Sequence, residues 1–405
     1  MRSTQATLGE RFVPLVVTVL WLVGMPAGMA QSGPPSWMTD GPFVAAPDFS
    51  LELPLQTLGT KLQVEVEIAG RPLRFVFDTG SPSMIDAALA RELGLPVVGQ
   101  SQGRDAHGTV IQSQIVQADL TLGGVVFRKT PIFAAELSRD AATACLLGNG
   151  VLGSEILPLC AWQIDLPDGV LRCATRLEDL DHIGTAQRLT LHDFGYPHAP
   201  IFDIGLGRKA TSKAMLDTGS PEYLAIAAPD LEGARRGRGV GATRAGHGSA
   251  GTSLGGAAAT GPQLLAELKD FSIDGLDLGR VVAMRRDDPP SLLGASLLEH
   301  FVVTLDPRSR SAYFESYRPG PFERSGFGLQ LSYADPVSVS LVWEDSPAAR
   351  AGLKVGEAIK AINGEPVSAS CAGIRAALTA LGGGQIDLEW DGGQASLARR
   401  SPLGR

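Results

Sequence analysis

Cysteine, histidine and surplus positive charge are all scarce in this sequence, and each shortage narrows what the protein can be. The four cysteines, Cys145, Cys160, Cys173 and Cys371, form no Cys-x-x-Cys pair, which argues against a zinc ribbon or a dithiol redox motif. Six histidines are scattered without ligand spacing, no His-Glu-x-x-His occurs, and neither a metal nor a cofactor is expected. A Gly-Lys-Thr phosphate loop is absent as well. Lys and Arg number 35 against 43 Asp and Glu, giving a formal net charge of −8. That balance argues against a nucleic-acid partner, which needs a basic face. Past the first thirty residues, no apolar run is long enough to span a membrane.

What is present points to a β-rich globular chain. Of the 405 residues, 44% are hydrophobic, enough for real cores, and 49 glycines with 27 prolines imply many turns between short strands. Residues 1–30 read as a secretory signal peptide: Arg2 and Arg11 flank the start of the apolar stretch Phe12 to Gly24, and small residues lead to a cut after Ala30. Its removal leaves no stable membrane anchor, and the expected location is periplasmic or secreted. Residues 31–50 are rich in Pro, Ser and Gly without periodicity and read as a linker. Export permits disulfides. Cys160 and Cys173 flank the turn Leu166-Pro167-Asp168-Gly169 and can face each other across a hairpin; buried unpaired thiols fit equally well. Cys371 reads as a core residue.

The body of the chain is a duplication. An alternating strand, Leu62 to Ile68, precedes Leu73-Arg-Phe-Val-Phe-Asp-Thr-Gly-Ser-Pro82. In the second half, Ile201 to Leu206 precedes Ala214-Met-Leu-Asp-Thr-Gly-Ser-Pro221. The pairs His107-Gly108 and His247-Gly248 lie 29 and 30 residues past the respective Asp, and the apolar-apolar-Gly steps ending at Gly153 and Gly294 lie 75 and 77 past it. Asp165 and Asp306 each follow that Gly by 12 residues. Four landmarks in register describe two lobes, 51–180 and 181–318, and not a solenoid, whose repeats are shorter and more numerous.

The repeated loop has chemical meaning. An apolar strand such as Phe75-Val76-Phe77 delivers a carboxylate into a partly desolvated place. Gly80 and Gly219 let backbone approach it closely, while Thr79, Ser81, Thr218 and Ser220 supply short hydroxyls. Two lobes related by a pseudo-two-fold would bring Asp78 and Asp217 face to face. Two close carboxylates share one proton, so one activates a water while the other protonates a carbonyl.

These duplicated Asp-Thr-Gly-Ser loops, each followed by apolar-apolar-Gly, resemble the pepsin and retropepsin-like aspartic peptidases over about Leu51 to Tyr317. The resemblance implies a mainly β fold of two retropepsin-like lobes with a central cleft. It implies Asp78 and Asp217 as the catalytic pair, with Thr79 and Thr218 bracing the loops across the lobes. Ser81 and Ser220 would bond the outer carboxylate oxygens and favour an acidic optimum, and Gly153 and Gly294 would mark strands packed behind the loops. His107-Gly108 would lie on a flap, with His247-Gly248 its counterpart. No tyrosine lies between Gln100 and Gln117, so closure would rest on backbone or on Val110 and Ile111. The Gly- and Arg-rich stretch 233–261 reads as a disordered surface insertion, with a mobile substrate gate as the other reading. Both Asp loops lie in one chain, so a monomer suffices.

Residues 319–405 are different. Gly326-Phe327-Gly328-Leu329, Ser346-Pro347-Ala348-Ala349 through Leu353, and the Asn-Gly turn at Ile362-Asn363-Gly364 resemble a bacterial PDZ domain of α+β type. The resemblance implies a carboxylate loop at Gly326 to Leu329 that holds C-terminal peptides. Together the parts imply an endopeptidase acting on protein or peptide substrates, with the tail recruiting C-termini. A non-catalytic exported scaffold or peptide-binding protein on the same fold is the rival reading.

Overall fold

The computed structural model describes residues 34–249 and 251–404. The expected signal peptide lies outside the described residues.

In each lobe an antiparallel hairpin carries the Asp loop. Strand Lys61–Ile68 alternates and buries its apolar face, and it returns through Ala69-Gly70 into Arg71–Phe77. Both turn residues have positive φ, 51° and 77°, matching a tight two-residue hairpin whose twist suits the flanking strands. The second lobe repeats this with Ile201–Leu206 and Thr211–Asp217.

The duplication is reproduced strand by strand. Gly150–Leu152 lies parallel to Phe75–Phe77, and Ser291–Gly294 lies parallel to Ala214–Asp217. Each of these short strands also pairs antiparallel with the one after the Asp loop, Met84–Asp86 or Leu224–Ala227. Those in turn run parallel to Val125–Ala135 and Leu276–Arg286. Gly150 to Leu152 and Ser291 to Gly294 are buried throughout, as strands covered on both faces must be.

A six-stranded sheet joins the lobes. At its centre Ala161–Asp165 pairs with Phe301–Asp306, in register Trp162 with Leu305 and Ile164 with Val303. These are the strands marked in sequence by Asp165 and Asp306, so the last landmark of the repeat is the seam between its halves. One apolar core runs through both lobes, with Trp162 fully buried against Phe77 and Phe127.

Three expectations about the connecting segments are revised. The described part of the 31–50 stretch is packed: Trp37 is buried edge-on against Phe133 and Tyr196, and Phe43–Val44 pairs with the strand Val125–Ala135. The Trp37 indole provides the largest apolar contact of the segment, and Val44 and Phe49 pack on the core beyond it. The stretch 233–261 is not a disordered insertion either. It holds the end of helix Ala228–Arg236, strand Val240–Gly248 and the small hairpin Thr252–Ser253 with Gly256–Ala257. Its glycines answer to close approach: a Cβ on Gly246 would overlap the Trp343 indole, and one on Gly248 would overlap the backbone of Ser340 and Leu341.

Those contacts belong to the C-terminal module, which joins the second lobe by strand pairing. Ser338–Trp343 lies antiparallel to Gly246–Gly248 on one side and to Leu329–Ser332 on the other. Leu329–Ser332 is therefore the terminal strand of a nine-stranded sheet running through both domains. A four-stranded sheet and the helices Pro347–Arg350 and Cys371–Leu381, N-capped by Ser346 and Ser370, complete the module. Asn363 and Gly364 have positive φ at the expected hairpin turn.

The third revision concerns cysteine. Cys160 pairs with Cys173, taking one of the two readings left open. Cys371 is not merely core: it is bonded to Cys145, 226 residues away, and ties helix Cys371–Leu381 to helix Ala141–Leu147 of the first lobe. Leu58, Ile374 and Leu378 pack around this bridge.

Candidate active site

The two Asp loops meet at the base of a cleft of about 2220 Å³. Each loop is held by its own backbone. Gly80 N donates to Asp78 Oδ1 and Gly219 N donates to Asp217 Oδ1, both at 2.9 Å. Asp78 N donates to Leu152 O at 3.0 Å, fixing the first loop to the strand behind it.

Across the pseudo-two-fold the loops interlock. Thr79 N donates to Thr218 Oγ1 at 3.1 Å, and Thr218 N donates to Thr79 Oγ1 at 3.2 Å. The same hydroxyls donate onward, Thr79 to Leu216 O at 2.6 Å and Thr218 to Phe77 O at 2.9 Å. Both threonines are fully buried, so four polar groups satisfy one another away from water.

The glycines explain how close the carboxylates come. A Cβ on Gly80 would overlap the Asp217 carboxylate, and one on Gly219 would overlap that of Asp78. Only glycine leaves room for each acid against the other loop. Burial, and then the neighbouring Asp78 charge, raise Asp217 well above the usual carboxylate range, while Lys61 works in the opposite direction.

Gly153 and Gly294 sit where expected, behind the loops. Next to them Ser154 N donates to Ser81 O at 2.9 Å and Ala295 N to Ser220 O at 2.8 Å, one more pair related by the duplication. The serine side chains differ from expectation. Ser81 Oγ is buried with no partner among the described residues, and Ser220 meets Asp217 through its backbone N–H, at 3.2 Å. Neither hydroxyl bonds an outer carboxylate oxygen, so the support for an acidic optimum expected from these hydroxyls is absent.

Only one of the two His-Gly pairs is on a flap. His107 and Gly108 form the tip, Asp105 to Thr109, between strands Val97–Arg104 and Val110–Leu122. Gly108 turns there with φ of 80°. Val110 is exposed, and Ile111 lines the cleft. His247 and Gly248 instead pair with Val342 and Leu341, under the C-terminal module. The second-lobe partner of the flap is the hairpin at Thr252 to Ala257. Asp105 accepts hydrogen bonds from Ser253 Oγ and, at 2.8 Å, from Gly255 N. Arg139 of the first lobe donates to Ser253 O and Leu254 O. Gly251-Thr252-Ser253-Leu254-Gly255 has the spacing of a serine-nucleophile elbow, but it forms this hairpin tip and its hydroxyl donates to Asp105.

Several site residues carried no signal in the sequence. Lys61 donates its ammonium to Gly219 O at 2.6 Å. Arg286, at the end of strand Leu276–Arg286, lines the cleft within electrostatic reach of Asp217. Glu155 is buried behind the first loop and accepts from Ser83 N at 2.9 Å; burial pushes its carboxyl up to about 7. Away from the cleft, Asp165, Asp168 and His182 converge, but Arg172 already bonds both acids.

Residues 64–156 match the family described as aspartyl protease, and residues 338–391 match the PDZ domain family. The chain carries a retropepsin-like aspartyl protease domain and a C-terminal PDZ domain. No curated protein matches it. The protease match covers the first lobe from strand Lys61–Ile68 to the turn after Gly153; the second lobe, outside that match, repeats its strand order. The PDZ match begins at the strand that docks on the second lobe, Ser338–Trp343, and a PDZ domain is a peptide-binding module.

Proposed function

We propose that this protein is an exported aspartic endopeptidase in which Asp78 and Asp217 activate a water for attack on peptide bonds. The observation that carries this reading is the reciprocal packing of the two loops, each carboxylate seated against the other loop's glycine. In such a pair one proton is shared, because two charges so close and so buried repel. The ionised member takes a proton from the water as it attacks the carbonyl carbon; the protonated member gives its proton to the carbonyl oxygen. The tetrahedral product then collapses with proton transfer to the leaving amine. Interlocked threonines hold the acids in place before substrate arrives, which spares reorganisation during reaction.

Substrate would lie extended in the cleft beneath the tips of the flap and the Thr252 to Ala257 hairpin, which must part to admit it. The PDZ domain would bind C-terminal segments of substrates or partners. Two disulfides among the described residues support an oxidising, periplasmic or extracytoplasmic location. One chain supplies both acids, so the active form is a monomer. Incubating the protein without its first thirty residues with an unbiased peptide library, followed by mass spectrometry, tests the reading. New internal termini that vanish in Asp217→Asn support it, and a library returned intact overturns it in favour of a binding scaffold.

A further inference from the structure

The PDZ groove and the paired acids line one continuous cleft, and the fold fixes their separation. The path can be followed residue by residue. Arg324 donates to Pro221 O at 2.8 Å, one residue past the second Asp loop, and two residues later the chain enters Gly326-Phe327-Gly328-Leu329. The Phe327 and Gly328 amides donate to no group among the described residues. Arg400 pairs through its backbone with Gly326 and leaves its guanidinium without an ionic partner among the described residues. Free amides suit a carboxylate, and Arg400, on the segment paired with Gly326, adds a positive charge to this end of the module.

The strand that follows, Leu329–Ser332, pairs on its outer edge with no strand among the described residues, and Leu329 and Leu331 share an apolar cluster with Ala377, Ala380 and Leu381 of helix Cys371–Leu381. At its far end Tyr333 packs in one cluster with Leu378 and Leu58 of the first lobe. Gly59 lies against Leu378, and Lys61, two residues on, holds the Gly219 carbonyl beside the acids. A peptide added antiparallel to Leu329–Ser332, its carboxylate in the loop, therefore leads its upstream residues past Gly59 toward Asp78 and Asp217.

The groove cannot swing freely against the acids. Backbone pairing between Gly246–Gly248 and Ser338–Trp343 holds it to the second lobe, and Cys145–Cys371 holds it to the first. We infer that the PDZ groove is part of the substrate cleft, and that the enzyme cuts protein C-terminal tails at a constant number of residues from the free carboxylate. The four-residue groove strand places that bond more than four residues upstream. This inference rests on the peptidase reading above.

The test uses the chain without its first thirty residues and one unstructured peptide, prepared with zero, two and four extra C-terminal residues and with a C-terminal amide. Mass spectrometry reads the cut position, and initial rates give kcat/KM, with casein as a tail-independent control. The expected cut moves by two and four residues as the tail grows, and amidation lowers kcat/KM by about tenfold or more, the worth of charge-assisted carboxylate bonds. Cuts that stay at one sequence position, with acid and amide cleaved alike, overturn the inference and leave the peptidase reading standing. Failure to cut casein and every peptide sinks the peptidase reading, and the constant offset with it.

Discussion

Thr79 and Thr218 each donate a backbone amide to the other's hydroxyl across the boundary between the lobes. This exchange makes the two Asp loops one structural unit, because neither can shift without breaking buried bonds in the other. Thr218→Ala removes the acceptor for Thr79 N and the donor to Phe77 O together. It is expected to cost about 1–3 kcal/mol in urea unfolding, the range for stranding a buried donor. Thr218→Ser keeps the hydroxyl and should recover most of that loss.

On the proposed reading, burial and the Asp78 charge set the upper limit of the pH range, and Lys61 lowers it. The proposed activity would need one proton on the acid pair, and that proton would be lost as pH rises through the raised Asp217 value. The Lys61 ammonium favours the ionised carboxylate, so Lys61→Ala raises that value further. The alkaline limb of the kcat/KM profile should move to higher pH, by up to about one unit. A shift to lower pH contradicts the assignment.

Glu155 makes stability fall with rising pH. Its carboxyl is raised from an ordinary 4.5 to about 7 by burial, so between these values the folded chain keeps a proton that the unfolded chain releases. Stability from this group is complete below the lower value and lost as pH rises through the upper one. Glu155→Gln abolishes the slope. At pH 8 it should unfold at higher urea than the parent, by about 3 kcal/mol, and at pH 4 the two should differ little.

Cys371 anchors the PDZ helix to the first lobe. Cys371→Ser opens the Cys145 bridge and should lower stability by about 2–4 kcal/mol. Amide exchange in helix Cys371–Leu381 should speed up more than in the Asp loops, which have their own interlock.

Much of this architecture was legible because the sequence states it twice. Phe75 to Pro82 and Ala214 to Pro221 share one pattern, and their chemistry needs only a buried strand end, a glycine and a carboxylate. The PDZ domain was legible from local turn chemistry at Gly326 to Leu329 and Ile362 to Gly364. What stayed hidden depends on partners far along the chain. Gly246 and Gly248 read as loop glycines until Trp343 and Leu341 pass over them. With that docking unseen, His247-Gly248 was matched to the flap on spacing alone, whereas the true counterpart is a few residues on. Cys145 and Cys371 are 226 residues apart, and four cysteines allow three pairings. Ser81 and Ser220 follow the repeat in sequence, yet hydroxyl direction is set by packing that a motif does not carry. Trp37, Val44 and Phe49 sit among Pro, Ser and Gly without periodicity, and their places in the core depend on partners far along the chain.

The central claim is that Asp78 and Asp217 act as one pair. Cleavage of casein at several pH values, comparing the chain without its first thirty residues with Asp78→Asn and Asp217→Asn, tests it most directly. The account predicts a cutting parent and two inactive variants, each folded by circular dichroism. A variant that cuts as fast as the parent, or an inactive parent at every pH, contradicts it.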